Sequence, residues 1–310
     1  MKGKKVVIKI VLIMISILII GVIAFAIWLP SFIMTGKRQT LEEAFSWQSE
    51  RYDTSFYKKL DKTEYIIKGF EDYELHVELL KNPVQTDKYI ILSHGYTDNR
   101  MGSLKYISMY LDFGFNCIIY DLRGHGENEP TFTTYGIREG KDLKCLIEDT
   151  RSRYEEIDVL GLHGESLGAA TTITTLKYKP EVDFVVADCG FSDIENVLRT
   201  GYKSAGLPEF LFDIADFMGK LRYHYSLREM RPIESLNENI IPIIFIHGKE
   251  DGFIVPKNSE DMAERTKGEK ELYFISKAGH AESILVNPTE YRERVGKFLA
   301  NKIKSGELKI

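Results

Sequence analysis

Gly164-Glu165-Ser166-Leu167-Gly168 is the segment of this chain with the clearest capacity for covalent chemistry. A serine hydroxyl attacks a carbonyl carbon only when the backbone thrusts it clear and a base takes its proton. An apolar run, Ile157-Asp158-Val159-Leu160-Gly161-Leu162, leads into the pentapeptide, and a small-residue run, Ala169-Ala170-Thr171-Thr172-Ile173, leads out. That strand–turn–helix setting is what G-x-S-x-G needs to form a nucleophile elbow. Glycines two before and two after the serine remove Cβ atoms that would collide in so tight a turn.

Three further segments supply the groups such a serine requires. Tyr89-Ile90-Ile91-Leu92-Ser93-His94-Gly95-Tyr96-Thr97 is an apolar strand ending in a turn. The amides of Tyr96 and Leu167 can point there at one developing oxyanion. Ile241 to Ile246 reads as a buried strand opening into His247-Gly248-Lys249-Glu250-Asp251, so Asp251 is the candidate acid and Glu250 its solvated neighbour. Leu272 to Ile275 is a last strand, followed by Ala278-Gly279-His280, which makes His280 the candidate base. Nucleophile, acid and base come in the order Ser, Asp, His, unlike the orders of chymotrypsin and subtilisin. His94 and Gly95 read as shapers of the backbone, and His163 as a residue packed beneath the elbow. His125 lies in a loop near the mouth, where a structural role competes with contact to substrate.

These segments, with Tyr120-Asp121-Leu122-Arg123-Gly124-His125-Gly126, resemble the signature stretches of the α/β-hydrolase superfamily over about residues 64–304. The similarity is greatest to bacterial membrane-tethered or extracellular hydrolases of the serine-aminopeptidase-like and bile-acid-acyltransferase-like groups. The resemblance implies an α/β fold with a mostly parallel sheet flanked by helices, and two-step acyl transfer with no cofactor. It leaves the substrate open among esters, amides and acyl acceptors, because function belongs to the site rather than the fold. A carboxylic ester of a small or medium hydrophobic acid is the favoured substrate. An aminopeptidase-like amidase, an acyltransferase and a catalytically silent surface-binding protein are the alternatives.

Composition narrows the class further. The chain of 310 residues carries net charge −5 with no basic stripe, which disfavours nucleic acid as a partner. His76, His224 and His247 show no ligand spacing with cysteines or carboxylates, so no metal site is expected. Three cysteines, Cys117, Cys145 and Cys189, give no disulfide framework and read as free thiols.

The elements that must position these groups follow from the hydrophobic pattern. Residues 1–9 read as a cytoplasmic N-terminus bearing Lys2, Lys4, Lys5 and Lys9. Residues 10–29 hold no charge and are long enough to cross a bilayer core. The basic bias places the N-terminus inside and the rest of the chain outside. A cleaved signal peptide with Ala24-Phe25-Ala26 at its cleavage site is the competing reading. Residues 30–63 form a linker and an amphipathic helix over 40–61, opened by a capping box at Thr40 and Glu43. The hydrolase domain then runs over 64–310, with strands near 64–70, 73–80, 88–93, 116–120, 157–162, 183–188, 241–246 and 271–276. Helices are expected near 103–113, 138–153, 167–178, 256–267 and 288–305. A chain starting near Gly36 is therefore expected to keep its activity.

Residues 192–233 interrupt the alternation. Phe210, Ile214, Phe217, Leu221 and Tyr225 recur there at helical spacing. They predict a small helical cap, with Phe210, Ile214 and Phe217 lining an acyl pocket over Ser166.

Overall fold

The computed structural model describes residues 2–302 of the chain. One eight-stranded sheet runs through it in the order β1-β2-β4-β3-β5-β6-β7-β8. The strands are β1 (Lys62–Lys68), β2 (Glu74–Leu80), β3 (Lys88–Ser93), β4 (Asn116–Tyr120), β5 (Val159–Glu165), β6 (Phe184–Asp188), β7 (Ile243–Gly248) and β8 (Lys270–Ile275). β2 pairs antiparallel with β1 and β4, and all pairings from β4 through β8 are parallel. β4, β5, β6 and β7 are buried along their whole length, as strands covered on both faces must be.

Among the described residues, ten α-helices surround or approach the sheet: α1 (Lys2–Met34), α2 (Leu41–Ser49), α3 (Leu104–Asp112), α4 (Ile137–Arg153), α5 (Leu167–Thr175), α6 (Ile194–Ser204), α7 (Phe210–Tyr223), α8 (Lys257–Arg265), α9 (Ser283–Val286) and α10 (Pro288–Ala300). Strand runs and helices fall within a few residues of the expected bounds. The end of the helix expected over 288–305 lies outside the described residues. The helix expected over 40–61 is shorter. The Thr40–Glu43 capping box starts α2, but the helix stops at Ser49, whose hydroxyl bonds Phe45 O and Thr54. Asp53 then accepts from the Ser55 amide and opens a separate short turn. Local side-chain bonds to the backbone outcompete helix continuation there.

α1 holds a stretch, Val6–Met34, long and apolar enough to cross a membrane. Its end belongs to the body of the molecule. Leu29, Ile33 and Met34 are buried in the core, and the Met34 carbonyl accepts from the Thr133 amide. Within residues 192–233, α6 and α7 form a helical insertion between β6 and β7. α7 is buried along Leu211, Phe212, Ala215, Asp216 and Gly219 and packs on the end of α1. Gly219 faces α1 at this crossing, where a Cβ on it would lie in ordinary contact with Pro30 Cβ (3.9 Å) and Met34 Sδ (3.8 Å).

Candidate active site

Parallel strands collect their C-terminal ends, and the loops that follow them, at one edge of the sheet. β3, β5, β7 and β8 deliver the turn at Tyr96, the serine, the aspartate and the histidine to that edge. At the end of β5 the chain turns so sharply that Ser166 takes φ 53° and ψ −111°. A Cβ on Gly164 would lie 2.2 Å from Gly168 O, and one on Gly168 only 2.0 Å from Ser93 O. Backbone cannot yield to such contacts, so both positions require glycine. The strain is local and is held by the Ser166 amide donating to Asp188 O at 2.9 Å.

Three of the expected residues meet in one hydrogen-bonded chain. His280 Nδ1–H donates to Asp251 Oδ2 at 2.7 Å, and in the neutral ring this makes Nε2, 2.9 Å from Ser166 Oγ, the acceptor. The imidazole is thus set to accept the serine proton. Asp251 is buried, and burial raises a carboxyl pKa. Hydrogen bonds from His247 and His280, the nearby imidazole and the Ile254 amide outweigh that penalty and hold Asp251 well below the usual carboxylate range. The Phe253 and Ile254 amides donate to its other oxygen at 2.9 and 2.8 Å. Glu250 is exposed, its amide tied to Ala278 O at 2.9 Å, so its backbone joins the two loops while its side chain faces water.

His247 is the partner that sequence reasoning missed. Its Nε2–H points at both Asp251 Oδ2 (3.2 Å) and Ile254 O (2.7 Å), and its Nδ1 accepts from Ser259 Oγ (2.7 Å). It braces the acid from behind. The only signal in the sequence is its position four residues before Asp251.

A second missed group lies under the elbow. Lys105, on α3, forms an ion pair with Glu165, the residue before Ser166, and donates to Ala281 O, the residue after His280, at 3.1 Å. Burial would lower the lysine pKa, but Glu165 more than reverses it and keeps the ammonium charged. Tyr106 donates to Glu165 and stands 3.1 Å from Asp188, whose carboxyl burial pushes up to about 6. One buried cation therefore ties the serine-bearing and histidine-bearing segments together.

The Tyr96 turn sits beside the serine. A Cβ on Gly95 would lie 3.7 Å from Ser166 Cβ. His94 is buried, with Nδ1 against Gly95 O (2.7 Å) and Nε2 accepting from the Leu122 amide (2.9 Å). Burial lowers its pKa to about 4, so it is a neutral brace for the turn. The Tyr96 hydroxyl donates to Ile33 O at 2.9 Å and accepts from the Gly36 amide at 3.0 Å. Tyr135 also donates to Ile33 O, and the Tyr96 and Tyr135 rings stack at 5.7 Å. The end of α1 is thus part of the scaffold of the site.

Two expectations about substrate contact change. His125 is buried, donates from Nδ1 to Arg123 O, and packs edge-on against His94 and Tyr96 at 5.2 and 5.9 Å. It supports the turn from below rather than facing the mouth. Phe210 and Phe217 are 58 % and 67 % exposed, and Ile214 lies half-buried between them. Their stripe is the outward face of α7, because the face toward the core is taken by Leu211, Phe212, Ala215 and Gly219. The apolar side chain that does stand by the triad is Phe253, 62 % exposed and edge-on to the His280 ring at 5.1 Å.

Cys189, Asp251 and His280 bring ligand-type atoms within 4.8 Å of one another. Burial pushes the thiol pKa far up, and Asp251 and His280 are already bonded to each other. The group is arranged for proton transfer rather than for a cation.

Sheet order, elbow and site together define the class: the chain belongs to the α/β-hydrolase superfamily and is a hydrolase. The serine aminopeptidase family (S33) matches residues 84–227, a span that includes Ser166. An uncharacterized Bacillus subtilis protein, YqkD, is 33 % identical over 310 residues, which cover 96 % of this chain and all of that one. Among solved structures, an esterase of Pyrococcus furiosus superposes with a TM-score of 0.67 at 26 % identity, covering 81 % of this chain and 94 % of its own. An acylaminoacyl peptidase of Pyrococcus horikoshii shares the fold at a TM-score of 0.61 and 18 % identity, over 82 % of this chain and 44 % of its own.

Proposed function

We propose that the chain is a serine hydrolase that cleaves carboxylic esters of small to medium hydrophobic acids through an acyl-enzyme. The observation that carries this reading is the Ser166–His280–Asp251 chain at 2.9 and 2.7 Å, built on a serine with positive φ. His280 takes the proton of Ser166 as Oγ attacks the carbonyl carbon, and the tetrahedral oxyanion falls to the amides of Tyr96 and Leu167. The imidazolium, stabilised by Asp251, returns the proton to the leaving alcohol. A water deprotonated by His280 then frees the acid. No cofactor enters these steps. Phe253 beside His280 favours an apolar acyl or alkyl group at the mouth.

The match to the serine aminopeptidase family supports a second reading, an amidase on the same three residues. p-Nitrophenyl esters of graded chain length, assayed beside aminoacyl anilides, separate the two. The ester reading requires turnover that peaks at short or medium chains and exceeds anilide turnover. A preference for anilides would move the activity to the amidase.

α1 is proposed as an uncleaved anchor with the N-terminus inside and the hydrolase domain outside. Four lysines precede its uncharged run, and its last turn is packed into the body.

A further inference from the structure

α7 carries two apolar faces, and only one is used inside the molecule. Phe210, Ile214, Phe217 and Leu221 recur at intervals of four, three and four, so they form one stripe along the helix. Phe210, Phe217 and Leu221 are 58 %, 67 % and 64 % exposed, and Leu207, just before the helix, is 47 % exposed. Large aromatic and aliphatic side chains turned outward in a row mark a surface with a partner. Exposed Lys220 and Arg222 border the stripe together with Asp213, which pairs with Arg199 and Arg228, so an apolar face is flanked by charged groups as on a helix in a lipid interface.

The place of α7 selects the partner. The helix crosses the end of α1 at Pro30 and Met34, and Arg222 and the Tyr223 hydroxyl both bond Ser31 Oγ, at 2.7 and 3.1 Å. Residues 10–29 of α1 rise about 30 Å, the thickness of a hydrocarbon core. The crossing point therefore lies within about 8 Å of where such a helix leaves the bilayer, with no linker between them. On α1 itself, Trp28 and Phe32 flank Ser31, stack at 5.0 Å and are 51 % and 62 % exposed. Aromatic rings at that level are the usual belt of a membrane boundary. Both exposed apolar faces thus belong to helices that cross at the end of the apolar run.

We propose that the Phe210–Phe217–Leu221 face of α7 rests in the outer leaflet beside α1, so that the active site takes its acyl substrate from the lipid phase. The inference rests on the reading of α1 as an anchor. Ile33, in the same turn of α1 that meets α7, accepts from Tyr96, whose turn lies beside Ser166. The serine is thus fixed close to the leaflet. The substrate class this placement selects is an amphiphile with a membrane-soluble acyl chain and a carbonyl at headgroup depth.

The test uses the full-length chain in vesicles of phosphatidylcholine and phosphatidylglycerol. Leu221→Cys, in a chain with Cys145→Ser, is labelled with an environment-sensitive dye and compared with a label at Lys257→Cys on the exposed side of α8. The expected result is blue-shifted emission at position 221, quenched by brominated lipids, and water-like emission at 257. In parallel, Leu207→Asp with Leu221→Asp is expected to lower hydrolysis of a vesicle-borne long-chain ester about tenfold, with turnover of soluble p-nitrophenyl acetate unchanged. Water-like emission at 221 from protein that still sediments with vesicles overturns the proposal and leaves the anchor standing. Quenching that appears only at high protein-to-lipid ratio would assign the face to a second copy and also overturns it. Equal loss on both substrates does the same. Protein that fails to sediment at all removes the anchor reading beneath it.

Discussion

The Tyr96 hydroxyl donates to the backbone carbonyl of Ile33, 63 residues earlier in the chain, at 2.9 Å. Tyr96 belongs to the turn beside Ser166, and Ile33 to the last turn of the N-terminal apolar helix. The N-terminal helix and the turn beside Ser166 are therefore one hydrogen-bonded unit, with Tyr135 on the same carbonyl and Gly36 on the same hydroxyl.

This pairing reverses the expectation for a shortened chain. Starting at Gly36 removes Leu29, Ile33 and Met34 from the core, where each is worth about 1.5–3 kcal/mol of burial. It also strips the acceptors of Tyr96 and Tyr135. Esterase turnover of a Gly36 start should fall at least tenfold below that of an Ile27 start in the same detergent, with a lower Tm. Equal activities would show that the last turn of α1 is dispensable.

Asp251→Asn should lower kcat about 10³–10⁴-fold, because an amide cannot fix the His280 tautomer that leaves Nε2 open. Glu250→Gln, on an exposed side chain, should stay within about twofold. Steady-state kinetics on one short-chain ester decides it, and swapped effects would move the acid.

Lys105→Met should destabilise the fold by about 3–5 kcal/mol by leaving Glu165 buried without its cation. Adding Glu165→Gln should recover a large part of that loss, since the uncompensated charge goes with it. Urea unfolding of the wild type, Lys105→Met, Glu165→Gln and the double variant gives the coupling. Additive losses would mean that the pair contributes through shape alone.

His163, packed under the elbow with Nδ1 2.8 Å from the Tyr110 hydroxyl, has its pKa lowered to about 3 by burial, with Lys105 adding to the effect. The unfolded chain protonates this imidazole near pH 6.5 and the folded chain does not, so stability is lost as pH falls below that value. Against His163→Gln, the wild type should lose about 1.4 kcal/mol per pH unit between roughly 6 and 4. A pH-independent difference in unfolding free energy would mean that His163 is protonated in the fold.

Ser166, Asp251 and His280 are legible in the sequence because their geometry is paid for in residue types: glycines at 164 and 168, and strand runs that end just before each group. The strands are legible for a related reason, since buried parallel strands read as short apolar runs. His247 was not, because a histidine bracing a carboxylate looks like any histidine at a strand end. Lys105 and Glu165 were not, because their pairing bridges 60 residues and no local pattern records it. The direction of α7 was undecidable from periodicity: Leu211, Phe212 and Ala215 make its other face apolar too, so a stripe can be found on either side. The apolar run of residues 10–29 reads as membrane-spanning, but nothing in it tells that the turn after it is core.

The central claim is that Ser166, activated by His280, is the nucleophile. Incubation with a fluorophosphonate probe, followed by mass spectrometry of the labelled peptide, tests it most directly. The wild type should be labelled at Ser166 and lose its esterase activity in step, and Ser166→Ala should remain folded, unlabelled and inactive. Labelling at another residue, or full turnover by Ser166→Ala, would contradict the account.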